Sequence, residues 1–537
     1  MFLLFADRRM SLAILGGILL PLGLIAAEPE AKEVAEPEKK KVAEPEAKEK
    51  RIPLPFTVSK ETTLITEPLR SNGTVDYIEA FHRQESKGVT ADNNAMVALL
   101  HLTGVSEVEP GYYPRLFRMM GMHPLKANGA FFMSEARYLI IVEDNDPELA
   151  DQLKEQFLFA FNAPWTPKDL PDVAKWLASN STYLDGIADA CDRPRFYAPV
   201  LGDEEDDGFA AAGAPTLEPL RRMARALVIR GMRDIGMGAW KKARADAITL
   251  HRLARHVASG KHLVAHFEAI ALEFFAIRLE RAILEGGKLT AAEARALAAD
   301  LAKLPPLPPA TDKLLSTLYV YFDVLAIVSE EGPAALQVIT TGVQPRKTNL
   351  AADFAFQKSI DWDLAMRYGK EQHDKLAAAL AVKEFKGRAG KVDKVFEDMR
   401  AQIAKESSDA VDWLVAALDA KARAKKAGRA MAATLVRKMF ESTGDAARVE
   451  ERVAIAQSNV QVALALAAYR ADEGDYPQEL SAIAPKYLAK IPIDPWSGKE
   501  ILYRPIGKGF RLWAVGPNGT DNGGEEEDDD QYALLVE

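Results

Sequence analysis

From Leu217 to about Gly444 apolar residues recur every three or four positions, the period of a helix that buries one face. In "LEPLRRMARALVIRGM" Leu217, Leu220, Met223 and Leu227 fall near one face. "WKKARADAITLHRLARHVASG" follows and is closed by Gly260, and "LVAHFEAIALEFFAIRLERAILEGG" is apolar on more than one side, which predicts a central helix. "TAAEARALAADLAKLPPLPP" opens on a Thr290–Glu293 capping pair and stops at Pro305-Pro306. Long helices joined by short turns predict stacked hairpins. The turn "GMGAWKKA" is weakly like that of a tetratricopeptide repeat, yet no fixed period persists. The expectation for residues 211–450 is therefore an irregular helical-hairpin solenoid or bundle.

Residues 53–210 carry mixed, mostly helical signals. "DYIEAFHRQE" and "DNNAMVALLHLTG" read as short helices, the second opened by an Asp/Asn cap and closed by Gly104. "ARYLIIVED" is a strand candidate by its β-branched centre, with a buried helix as the alternative. "GDEEDDGFAAAGAPT", residues 202–216, is an acidic, Gly-rich loop and marks a subdomain boundary.

From Arg452 the pattern sharpens. Val453, Ala456, Val460, Ala463, Leu464 and Ala467 form one stripe of a long helix that Gly474 ends, and Tyr476-Pro477 begins a turn. A short helix follows, then two alternating strands, "EILYRP" and "FRLWAV", separated by the hairpin sequence "IGKG". The fold class expected is mainly α, with a small α+β domain at residues 451–537.

The first residues change the picture of compartment. Arg8 and Arg9 precede an uncharged apolar run, residues 11–27, which orients the chain N-inside and C-outside. The run is either a cleaved secretory signal or a retained anchor in the inner membrane, and both predict an exported protein of the periplasm or cell envelope. Residues 28–52 hold an octad repeat, "AEPEAKEV", "AEPEKKKV", "AEPEAKEK", which begins at Ala27. Its composition cannot bury enough apolar area to offset ordering entropy. With one proline per octad it is expected to act as a semi-stiff linker reaching on the order of 75 Å.

Charge and motifs mainly exclude. A net charge of −10 gives no electrostatic footprint for nucleic acid. The only cysteine, Cys191, rules out an intramolecular disulfide framework and a CxxC zinc site, and its neighbours Asp189 and Asp192 disfavour a thiolate nucleophile. No P-loop, Rossmann or Gly-x-Ser-x-Gly pattern is present. Four histidines cluster at His251, His256, His262 and His266. The last two, four apart, could share a helix face and chelate zinc, but the residues between them supply no glutamate as general base. Packing or capping between helices is the plainer expectation for them.

The C-terminal features, taken in order, resemble the globular half of the major pseudopilin of type II secretion systems (protein G-like). The features are the helix, "AYRADEGDYPQEL", "YLAKIPIDPWSGKEILYR", the hairpin, and "GPNGTDNGG" with its closing acids. The likeness covers residues 452–530. It lacks the family's prepilin processing site, and about 400 residues precede the module, so filament assembly is not implied. The resemblance does imply a structural Ca²⁺ in the loop after the hairpin. Matched residue by residue, its ligands would be the backbone carbonyl of Val515, then Asn518, Asp521, Asp528 and Asp529, with the register after Glu525 uncertain by one residue. The chemistry agrees, since Ca²⁺ takes six to eight hard oxygens on a flexible loop; a solvated acidic loop is the alternative.

These observations lead to an exported, non-enzymatic scaffold or binding protein that meets protein partners through its helical domain. A component of a type II secretion or pilus-like assembly is the first alternative. A metal-dependent hydrolase built around His262 and His266 is the second.

Overall fold

The computed structural model describes residues 53–126, 129–202, 208–332, 334–335, 355–408, 419–525 and 533–536. The expected leader (1–27), the octad linker (28–52) and the acids 203–207 lie outside the described residues. The protein is mainly helical, with one small antiparallel sheet near the C-terminus.

Fifteen α-helices are described. They are α1 (Tyr77–Glu85), α2 (Ala95–Thr103), α3 (Tyr113–Met120), α4 (Glu135–Glu143), α5 (Pro147–Asn162), α6 (Pro171–Ser179), α7 (Ser181–Ala190) and α8 (Leu217–Gly236). Then come α9 (Trp240–Ser259), α10 (Leu263–Glu285), α11 (Ala291–Ala302), α12 (Leu314–Glu331), α13 (Trp362–Leu380), α14 (Phe385–Ser408) and α15 (Ala420–Glu473). The strands are β1 (Leu502–Ile506), β2 (Gly509–Trp513) and β3 (Ala533–Val536), in the order β1-β2-β3.

The caps explain several boundaries. Asn94 caps α2 by accepting from Met96 N, and Gly104 closes it. Thr290 and Glu293 form the reciprocal capping box of α11. Gly260 caps α9, and Gly474 follows α15 with φ of 97°. The "ARYLIIVED" stretch is helix α4, not a strand. Ser134 caps it through Arg137 N, and α5 packs alongside it. Two of its β-branched residues sit outside, Ile140 at 60% and Ile141 at 43% exposed, while Val142 packs against the core. A local cap and a hairpin partner thus override β propensity.

The chain divides into two compact units, each built from separated stretches. The first comprises Met1–Tyr77, Tyr321–Glu371 and Met399–Ser442. At its centre Tyr321 is fully buried and donates its hydroxyl to Ala365 O at 2.8 Å. Gly369 lies against that ring so closely that a Cβ there would stand 1.9 Å from it. Arg70 reaches the buried Asp323 at 2.8 Å.

The second unit comprises Ile78–Val320, Gln372–Asp398 and Thr443–Glu537. Its larger core gathers α2 through α10, with Leu99, Phe157, Trp165, Leu227 and Leu250 almost fully buried. A second core in the same unit joins α9, α10 and α11 to the C-terminal part of α15 and the sheet. Ile283, Leu284 and Leu297 from the hairpins share it with Val460, Leu464, Ile483, Phe510 and Leu534. The C-terminal sheet therefore owes part of its core to helices some 200 residues earlier in the sequence. The long helix expected from Arg452 begins earlier, at Ala420.

Candidate functional site

The sheet presents the loop that the sequence singled out. β1 and β2 pair through the turn at Gly507, with Leu502 opposite Trp513 and Arg504 opposite Arg511. β2 then pairs with β3, Trp513 facing Ala533, so the two strands bracket the loop between them. Gly516, Gly519, Gly523 and Gly524 all adopt positive φ, between 69° and 74°. This left-handed backbone is favourable for glycine and lets the chain double back. A Cβ at Gly524 would meet Arg511 at 2.9 Å and Trp513 at 3.0 Å.

Asp494 ties this loop to the preceding Asp-Pro-Trp turn. Its fully buried carboxylate accepts from Trp496 N at 2.9 Å, from the Ser497 hydroxyl at 2.7 Å, and from Val515 N at 3.2 Å. With its N–H held, Val515 is set in orientation at the start of the loop. Asn518 Oδ1 accepts from Thr520 N at 2.7 Å, a local turn. Asp521 Oδ1 accepts from the Trp513 indole at 2.9 Å and from Gly523 N at 3.0 Å. Asp528 and Asp529 lie outside the described residues.

The described part of the loop carries a backbone carbonyl, an amide and one carboxylate, hard oxygen donors of the kind Ca²⁺ takes, with Asn518 Oδ1 and Asp521 Oδ1 each accepting N–H groups of the protein itself. Among the described residues no group of three or more His, Cys, Asp or Glu side chains is placed to hold a metal ion. A complete cage would need the acids beyond Glu525. Glu525 itself stays exposed and pairs at the surface with Arg504 at 2.6 Å and Arg511 at 3.2 Å. Directly opposed cations on neighbouring strands repel, and Glu525 offsets that repulsion.

The histidines take separate places. His262 caps α10, its Nδ1 accepting from Val264 N at 3.3 Å, and its ring packs near Phe81 and Phe209. His266 is fully buried, with Nε2 at 3.9 Å from Glu450 Oε2. Burial holds both imidazoles down to about 4, helped by His82 for the first and Lys313 for the second. His256 donates to Cys191 O at 2.9 Å. Cys191 is buried, and burial pushes its thiol up to about 12, the opposite of a nucleophile's environment.

Sequence reasoning missed a buried polar cluster of the second unit. His251 of α9 sits between two buried carboxylates of α10, with Nδ1 at 2.9 Å from Glu273 and Nε2 at 3.1 Å from Glu280. Arg255 and Gln457 also contact Glu273. The available signal was two acids seven residues apart, hence on one face, in a helix that is apolar on more than one side.

Comparison of the chain with protein-family models, with curated proteins and with solved structures gave no match. Among the described residues no helix is long and apolar enough to cross a membrane.

Proposed function

We propose that this is an exported envelope protein acting as a non-enzymatic scaffold or binding protein, its helical hairpins forming an irregular solenoid that closes on a pseudopilin-like module steadied by Ca²⁺. The observation that carries the reading is the Asp494 knot. One buried carboxylate joins the Asp-Pro-Trp turn to the first residue of the glycine-rich acidic loop, so the motifs behind the resemblance meet in one place. Val515, Asn518, Asp521, Asp528 and Asp529 are the ligands in this reading, and the ion's role is to hold the loop against β2. The helical surfaces are where protein partners dock, and residues 11–27 supply export or a tether.

The test is thermal melting of the full chain with and without Ca²⁺, because the sheet shares its core with α9 to α11. Millimolar Ca²⁺ is expected to raise the melting temperature by a few degrees, as a ligand selective for the folded state must. Asp521→Asn is expected to remove most of that rise, and Glu525→Gln, an arginine partner, to leave it. An unchanged melt with Ca²⁺, or an unaffected Asp521→Asn, overturns the metal reading.

A further inference from the structure

A cavity of about 200 Å³ opens in the second unit, between the 3₁₀ turn Ala310–Lys313, the end of α13, the start of α14 and the middle of α15. Leu380 and Ala447 give it apolar walls; Thr311, Lys383, Arg388 and Glu450 supply its polar groups. Arg388 is only 9% exposed. Its Nε donates to Glu451 at 2.8 Å, and its guanidinium lies over the Phe385 ring at 4.6 Å. Nη1 is a long 3.5 Å from Glu450, and Nη2 is buried with no hydrogen-bond partner. Arg388 lines the cavity with Nη1 only at a long 3.5 Å from Glu450, so a molecule held there would offer the guanidinium a better-placed acceptor.

Across from it, Glu450 accepts from Ala310 N at 2.7 Å through Oε2 and stands 3.9 Å from the neutral ring of His266. The cavity is thus lined by two cationic groups and one carboxylate, with a small apolar wall. A plain anion would meet Glu450, and a plain amine would meet Arg388 and Lys383. A molecule carrying both charges close together satisfies each side. The space is that of a small molecule, and the apolar wall of Leu380 and Ala447 suits a small apolar side chain.

We propose that this cavity binds a free α-amino acid with a small apolar side chain. The carboxylate meets Arg388 and Lys383, the ammonium meets Glu450, and the side chain rests on Leu380 and Ala447. The site is independent of the calcium reading and stands or falls separately from it.

The experiment is isothermal titration calorimetry on the full chain with L-valine, flanked by valinamide, which lacks the carboxylate, and isovalerate, which lacks the amine. Saturable binding of L-valine is expected, with both analogues at least tenfold weaker. Lys383→Gln, at an exposed position, is expected to weaken L-valine several-fold. Ala447→Met fills the cavity and is expected to abolish binding while the protein stays folded by circular dichroism. Arg388→Gln is a poor test, because Glu451 would lose its partner and the fold itself could fail. No heat with L-valine overturns the proposal. So does isovalerate binding as tightly as valine, full binding by Ala447→Met, or an unchanged affinity in Lys383→Gln.

Discussion

His251 shows at the level of one residue how this protein places charge inside a helical core. Both ring nitrogens face carboxylate oxygens, and both carboxylates are essentially unexposed. Burial alone would lower the imidazole, but Glu280 and Glu273 outweigh it and raise it to about 10, so it is doubly protonated at neutral pH. The folded value lies above the unfolded one, near 6.5. Its stabilisation is therefore complete below about pH 6.5 and is lost as pH rises toward 10. Removing the ring leaves Glu273 with Arg255 and Gln457, but leaves Glu280 without a partner among the described residues. His251→Leu is expected to cost about 3–5 kcal/mol by urea denaturation at pH 6, the range for breaking a buried ion pair. The gap to wild type should narrow between pH 7 and 10. Lys313, held down to about 8 by burial, titrates in that window with the opposite sign, so the difference between the two proteins is the quantity to follow. A gap constant with pH would refute the buried imidazolium.

Among whole elements, much was legible where a local rule decides the outcome. The Thr290–Glu293 box, the Asn94 cap, Gly104, Gly260 and Gly474 each end or begin a helix as their chemistry predicts. Thr290→Ala is expected to lower stability by about 1 kcal/mol, measured as a shifted denaturation midpoint with an unchanged slope. A loss near zero would mean that the packing of Leu297 and Ala294 alone holds α11. Legibility failed where tertiary contacts decide. β3 has four residues and exists by pairing with β2 across the acidic loop, a long-range event that no short window reveals. α4 reads as a strand by composition, yet Ser134 and α5 make it a helix with its isoleucines outside. At the candidate loop, the glycines and the oxygen-rich composition were visible in advance. The arginine pair that takes Glu525 was not, because it depends on the β1–β2 register.

For the molecule as a whole, the two units set where a ligand's stabilisation can be felt. All chain segments of the proposed Ca²⁺ loop, the sheet beneath it and the Asp494 knot belong to the second unit. An ion bound there closes the loop against β2 and reduces its local opening, the process that hydrogen exchange measures. Added Ca²⁺ is therefore expected to slow amide exchange at residues 494–498, 502–525 and 533–536, most at Val515, whose amide is already held by Asp494. The first unit, with its Tyr321–Ala365 centre, has no share in that loop, and its exchange is expected to stay the same. Asp521→Asn should erase the protection in the sheet, and Lys383→Gln, at the separate cavity, should leave it intact. The discriminating outcome is the map. Protection spread evenly over both units would mean that Ca²⁺ acts on the folded chain as a nonspecific counter-ion for its net charge of −10. Protection confined to the sheet and loop would mean that the acids following Glu525 complete a built site.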